Sequence, residues 1–102
     1  MSQETNRPIL SRQAEADVDA AVEWYIDEGA YTAADDFLDE IERAMGVLAQ
    51  FPKVGEAGAY NTRLLPLNKF PYSLIYRLPG DVVRIIAVAH HSRRPVYWAG
   101  RR

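Results

Sequence analysis

The side chains best suited to proton transfer are two adjacent histidines, His90 and His91, the only histidines of the chain. An imidazole titrates near neutrality and can act there as an acid or as a base. Neighbouring strand residues point to opposite faces, so the pair is poorly placed to bind one metal ion together. The chain has no cysteine, which excludes thiolate metal sites and cysteine nucleophiles. We expect no metal ion and no cofactor.

Charge is divided unevenly along the chain. Residues 1–52 include three basic and twelve acidic residues, a formal charge of −9, and residues 53–102 include nine basic and two acidic residues, a formal charge of +7. This asymmetry suggests a basic face directed at an anionic partner. The basic residues of the last segment indicate either a patch for nucleic acid or an acidic partner, or a solvated tail. They are Arg93, Arg94, Arg101 and Arg102.

Other side chains are candidates for contact with a partner. Three arginines on predicted strands either contact a partner or keep the sheet soluble: Arg63, Arg77 and Arg84. Trp24 lies beside the apolar stripe of the first predicted helix and is expected to be partly exposed. Tyr97 and Trp98 either anchor an interface, because such residues dominate binding hot spots, or pack back over the edge of the domain.

The acidic half predicts two helices, because apolar residues recur at three- and four-residue spacings over 14–26 and 34–48. The residues expected to begin and end them are Ser11 as an N-cap, Gly29 as a break, Thr32 with Asp35 as a capping pair, and Pro52 as a stop. The short link between the helices favours an antiparallel hairpin. Aromatic side chains expected in the core include Phe37 and Phe51.

The basic half predicts a sheet, with strands at 63–67, 72–78 and 82–90 and a short first strand at 8–10. Pro79–Gly80 is typical of a type II turn, so the last two strands should pair with residue 77 opposite 82. In that register Ala87 and Ala89 face the helices, while Val88 and His90 face outward with Arg77 and Arg84.

Length and composition favour one globular domain, because 102 residues are too few for two. The longest apolar run, residues 85–89, is far below the about 18 residues of a membrane span. The first residues also lack the basic and apolar regions of a signal peptide. We therefore expect a cytoplasmic protein with no membrane partner.

The order of these elements resembles the RelE/ParE superfamily of toxins from bacterial type II toxin–antitoxin systems. The motifs that carry the likeness are AEADV at 14–18, FP at 51–52, RLL at 63–65, FPYSLIYR at 70–77 and VAHHSRRPVYW at 88–98. Each motif alone is loose, but their joint order is specific. The resemblance implies an α+β fold: one domain over residues 1–102, with an N-terminal helical hairpin on a small twisted antiparallel sheet and a basic tail from about residue 92.

The resemblance also implies a toxin that a cognate antitoxin holds inactive, with operator DNA bound only through the antitoxin. ParE-like members inhibit DNA gyrase, and RelE-like members cleave mRNA in the ribosomal A site. The positions that match the catalytic residues of the ribonucleases are Arg63, Arg77, His90 or His91, and Tyr97. The residues expected to contact the antitoxin or the target are Arg84, Arg93, Arg94, Trp98 and Trp24.

One departure from the ribonuclease pattern favours the ParE-like branch. The loop before Arg63 reads GAYNT at 58–62 and lacks the lysine pair of RelE-like enzymes, and Lys69 is the only lysine near the predicted sheet. Inhibition of gyrase is therefore the favoured interpretation. The alternatives are a ribosome-dependent ribonuclease and a binding module that is no longer toxic.

Overall fold

A computed structural model describes residues 7–94 and 96–102. The elements are β1 (Ile9–Leu10), α1 (Arg12–Asp27), α2 (Tyr31–Gln50), β2 (Glu56–Ala57), a 3₁₀ turn (Ala59–Asn61), β3 (Arg63–Pro66), β4 (Tyr72–Arg77) and β5 (Arg84–His90). The strands form one five-stranded sheet in the order β1-β5-β4-β3-β2. The predicted α+β fold is confirmed, but the prediction that the sheet is antiparallel throughout is wrong, and one strand was not predicted. Strand β1 is parallel to β5, which makes the sheet mixed, and β2 lies in a segment expected to be a loop. No helix within the described residues is long and apolar enough to cross a membrane.

The helix ends follow the predicted signals in all but one case. The Ser11 hydroxyl accepts a hydrogen bond from the Ala14 amide at 3.1 Å, which caps α1. The chain reverses at Gly29, whose φ of +75° lies in the left-handed region that glycine tolerates. The expected cap at Thr32 is wrong, because this tight reversal lets α2 begin at Tyr31 and places Thr32 inside its first turn.

The main core lies between the helices and the inner face of the sheet. Its largest buried side chains include Phe37 and Leu48 from α2 and Leu74, Tyr76 and Ile85 from the sheet. The prediction that Phe51 joins this core is wrong, because 60% of its surface is exposed. Helix α2 ends at Gln50, so Phe51 leaves the apolar stripe that the helix presents to the sheet.

The turn between β4 and β5 is wider than predicted. Arg77 lies opposite Arg84, and not opposite residue 82. Val83 does not pair with β4. Its side chain is 1% exposed, and its carbonyl accepts a hydrogen bond from the Ile9 amide at 2.9 Å. Attachment to β1 therefore draws Val83 into the core and leaves residues 78–83 as the connection.

A β-bulge reverses the predicted faces of β5. Ile85 lies opposite Tyr76 and Ala87 opposite Ile75, so Ile86 is an extra residue without a partner on β4. Such a residue shifts the alternation of side chains by one. Beyond the bulge, Val88 joins the core under the helices, whereas Ala87 and Ala89 pack on the other side of the sheet. The predicted orientation of these residues and of His90 is therefore wrong.

A buried tyrosine fixes the segment that follows α2. The Tyr76 hydroxyl donates to the Pro52 carbonyl and accepts from the Gly55 amide, each at 2.8 Å. Burial raises the pKa of Tyr76, so the hydroxyl stays protonated well into the alkaline range. A Cβ atom at Gly55 would lie 2.6 Å from the Tyr76 hydroxyl oxygen. Only glycine therefore allows this close approach.

Two glycine-to-alanine substitutions should change stability in opposite directions. Gly55→Ala forces an atom against Tyr76 and should cost about 1–3 kcal/mol of unfolding free energy, as overpacking does. Gly46→Ala lies inside α2 with open space around its Cβ position, and should add about 0.5–1 kcal/mol through helix propensity. Urea denaturation measures both changes. Equal shifts in one direction would contradict the close approach at Gly55.

Candidate functional site

A second, smaller core covers the outer face of the sheet, the face turned away from the helices. It consists of buried and half-buried apolar side chains: Leu64, Ile75, Ile86, Ala87, Ala89, Tyr97 and Trp98. Trp98 belongs to residues 96–102, here called the tail, and is only 7% exposed. Trp98 therefore packs back over the domain, which is one of the two arrangements that the sequence predicted for it.

Two arginines hold the tail against the outer face. Arg77 and Arg84 lie opposite each other on β4 and β5, a like-charge pair that would repel if both were left free. Arg77 donates to the carbonyls of Tyr60 and Arg101, the latter at 3.3 Å, and Arg84 donates to the main-chain oxygen of Arg102 at 3.0 Å. Both guanidinium groups thus face carbonyl dipoles of this same chain.

An ion pair closes the free edge of β5. Strand β1 covers that edge only as far as Ile85, whose carbonyl accepts from the amide of Ser11. Beyond it, a carboxylate oxygen of Asp17 accepts from the Val88 amide at 3.0 Å and from Arg101 at 2.7 Å. Arg101 also donates to the Ile86 carbonyl at 3.0 Å. Because the Asp17 and Arg101 side chains are only 14% and 18% exposed, this pair replaces the hydrogen bonds of a missing neighbouring strand.

No role was predicted for Asp17, one of the twelve acidic residues of the helical half. The available signal was its position in the helix. Asp17 lies three residues after Ala14 and one before Val18, both of which are buried, so it flanks the buried stripe of α1. An acid there can reach past the helix to a strand edge.

An outer-face cleft of about 400 Å³ opens beside the tail. Its floor is apolar and its rim cationic, and it is lined by Leu64, Ser73, Ile75, Ala89, His90, His91, Arg93, Arg94, Val96, Tyr97 and Trp98. Ser73 is 3% exposed, and its hydroxyl lies 2.9 Å from Nε2 of His91. None of the described residues that line the cleft carries a side-chain carboxylate, so the cleft suits an anionic group attached to an apolar one.

The cations of the cleft rim are not neutralised by the domain itself. Within the described part of the chain, neither Arg93 nor Arg94 forms an ion pair. The Arg93 guanidinium lies 4.0 Å above the ring centroid of Tyr97, a cation–π contact that orients it without removing its charge. Burial, with a smaller contribution from the charge of Asp17, raises the pKa of Tyr97, which therefore presents a neutral ring to the cation.

The five residues matched to ribonuclease positions are spread over the molecule. His90, His91 and Tyr97 border the outer-face cleft, but Arg63 and Arg77 do not. Arg63 lies on the inner side, where it donates to the carbonyls of Lys53 and Gly55 at 3.1 and 2.8 Å.

Both histidines make side-chain contacts within the domain, His91 with Ser73 and His90 with Tyr72 and Ser92. The His90 ring packs edge-on against Tyr72, with 4.9 Å between the ring centroids, and its Nδ1 accepts from the Ser92 amide at 3.0 Å. The histidine pair therefore divides between the two faces of the sheet, as the alternation of strand side chains predicts. No group of three or more potential ligands in residues 7–94 and 96–102 could hold a metal ion.

Trp24 borders a second groove, away from the tail. The groove has a volume of about 520 Å³ and is lined by Trp24, Tyr25, Pro71, Tyr72, His90 and Ser92. Trp24 is 57% exposed, in agreement with its predicted position beside the apolar stripe. It is the tryptophan that is open to direct contact.

Comparison with known proteins identifies a family. Residues 9–95 match the model of the ParE toxin of the type II toxin–antitoxin system parDE. Among the solved structures that match is a chain from the chromosomal ParDE TA system of P. aeruginosa, with a TM-score of 0.74, 22% identity, and coverage of 86% of this chain and 98% of that one. No curated protein matches the sequence at a significant level.

Replacing each tryptophan by alanine should separate the structural tail from the exposed ring. Trp98→Ala empties a buried site and should cost about 3 kcal/mol of unfolding free energy. Trp24→Ala removes a mostly exposed ring and should cost less than about 1 kcal/mol. Urea denaturation measures both values, and a loss at Trp98 no larger than that at Trp24 would show that the tail does not pack as described.

Proposed function

Because the chain belongs to the ParE toxin family of type II toxin–antitoxin systems, we propose that it is a toxin that inhibits DNA gyrase and that a cognate antitoxin neutralises. The proposed place of action is the cytoplasm. The toxin is proposed to contact operator DNA only through the antitoxin.

The observation that supports gyrase inhibition over RNA cleavage is that Arg63 and Arg77 already donate hydrogen bonds within the chain. Metal-free cleavage requires a base, an acid and cationic groups around one phosphate. Arg63 and Arg77 instead donate to main-chain carbonyls at separate places, and neither borders the cleft where His91 and Tyr97 lie. A non-catalytic mode, in which the toxin binds its target as a surface, fits this arrangement better.

The outer-face cleft is the proposed contact surface for antitoxin or target. Its free rim charges, Arg93 and Arg94, attract an anionic partner, and its apolar floor suits an aliphatic or aromatic side chain of that partner. Trp98 contributes as the cleft wall, and Arg84 contributes by holding the tail in place. Trp24 offers a separate exposed aromatic contact on the helical side.

Purified protein should inhibit DNA supercoiling by gyrase and leave translated mRNA intact. A supercoiling assay and primer extension on ribosome-bound mRNA, run on one preparation, measure the two activities. Codon-phased cuts in the mRNA with undisturbed supercoiling would overturn the proposal in favour of the ribonuclease. Normal growth during strong expression of folded protein without antitoxin would favour the non-toxic binding module.

Charge reversal at the cleft rim should weaken the inhibition. Arg93→Glu combined with Arg94→Glu should raise the concentration needed for half-inhibition by roughly tenfold, because an anionic partner would then meet like charge. Arg7→Glu combined with Arg12→Glu is the matched control, since both are exposed arginines that do not line the cleft and the change in net charge is the same. Equal effects of the two changes would mean that net charge, and not the cleft, governs binding.

A further inference from the structure

The tail that forms one wall of the outer-face cleft has no strand partner to hold it. Its own main-chain hydrogen bonds are internal turns, from Ala99 to Val96 at 3.0 Å and from Arg101 to Trp98 at 2.9 Å. None of the strand pairings of the described chain includes it. Its position on the sheet therefore depends on side chains.

The tail also begins at an unfavourable backbone conformation. Val96 has a φ of +52°, a left-handed value that is costly for a β-branched residue. Such a conformation persists only when contacts on either side determine it. The contacts that follow Val96 are the packing of Trp98, the hydrogen bonds of the Arg101 side chain, and those that Arg77 and Arg84 donate to the tail.

Arg101 is the link between the tail and the helical layer. Its guanidinium contacts Asp17 at 2.7 Å and the Ile86 carbonyl at 3.0 Å, and lies 5.2 Å from the ring centroid of Tyr97. Asp17 is in turn fixed by the Val88 amide. A chain of contacts thus runs from α1 through the edge of β5 and Arg101 to the wall of the cleft.

We infer that Asp17 is a positioning residue for the binding of gyrase at the outer-face cleft: through Arg101 it fixes the tail, although it does not line the cleft itself. This inference rests on the proposed function for the identity of the partner. Without the Asp17 carboxylate, the Val88 amide loses its acceptor at a partly buried edge, and Arg101 keeps only the Ile86 carbonyl there. The tail then loosens, and Tyr97 and Trp98 no longer form a fixed wall.

Accessibility of Trp98 tests the structural half of the inference. In a Trp24→Phe background, Trp98 is the only tryptophan, and acrylamide quenching reports its exposure. Asp17→Ala should raise the quenching constant by about threefold, as expected when a terminal segment opens locally. Asp19→Ala is the matched control, because Asp19 is an exposed aspartate of the same helix and the change in helix propensity is the same. Equal quenching in both variants would overturn the inference.

Inhibition of gyrase tests the functional half. Asp17→Ala should raise the half-inhibitory concentration about fivefold or more, because apparent affinity falls with the fraction of molecules whose site is formed. Asp19→Ala should leave it unchanged. Should Asp17→Ala fail to fold by circular dichroism, Arg101→Gln leaves the bond between Asp17 and Val88 intact and should give the same two changes.

The outcomes separate the inference from the proposed function. If Asp17→Ala exposes Trp98 but inhibits gyrase as well as the unaltered chain does, Asp17 is not a positioning residue and the proposed function stands. If the unaltered chain does not inhibit gyrase, the proposed function is wrong, and the quenching experiment still decides whether Asp17 holds the tail.

Discussion

The free edge of β5 is the constraint on which the rest of the structure depends. Strand β1 pairs with β5 through only two residues, and the polar groups of a half-buried edge are costly when they are left without partners. At the bulge, the Ile86 carbonyl and the Val88 amide lie at that same edge, beyond the reach of β1. Asp17 and Arg101 supply the missing acceptor and donor, so the ends of the described chain are joined to one strand.

The ion pair between Asp17 and Arg101 links the acidic half of the chain to the basic half. Most acids of the helical layer are exposed, and most basic residues lie in the half of the chain that forms the sheet and the segment after it. Asp17 crosses between the layers and pairs with Arg101, whereas Arg93 and Arg94 at the cleft rim form no ion pair within the described residues. In the proposed function, partner binding on the basic side therefore depends on one carboxylate of the acidic side.

Local rules predicted most of the fold but only part of the site. Ser11, Gly29 and the strand residues act through near neighbours, so their effects can be read from spacing. The register of β5 depends on Val83 being drawn to β1, and the faces beyond it depend on the bulge; neither follows from alternation within one strand. The position of the tail was harder still to predict, because Asp17, which anchors it, lies 84 residues before Arg101 in the sequence. The basic rim and the exposed Trp24 were predictable, whereas the role of Asp17 was not.

The central claim is that Asp17 and Arg101 act as one unit that closes the edge of β5. A double-mutant cycle on the free energy of unfolding, with Asp17→Ala, Arg101→Ala and the double variant, tests this claim most directly. We expect a coupling energy of about 1 kcal/mol or more, because both side chains are mostly buried and hydrogen-bonded to each other. Additivity within about 0.3 kcal/mol would contradict the claim and would separate the tail from the edge of the sheet.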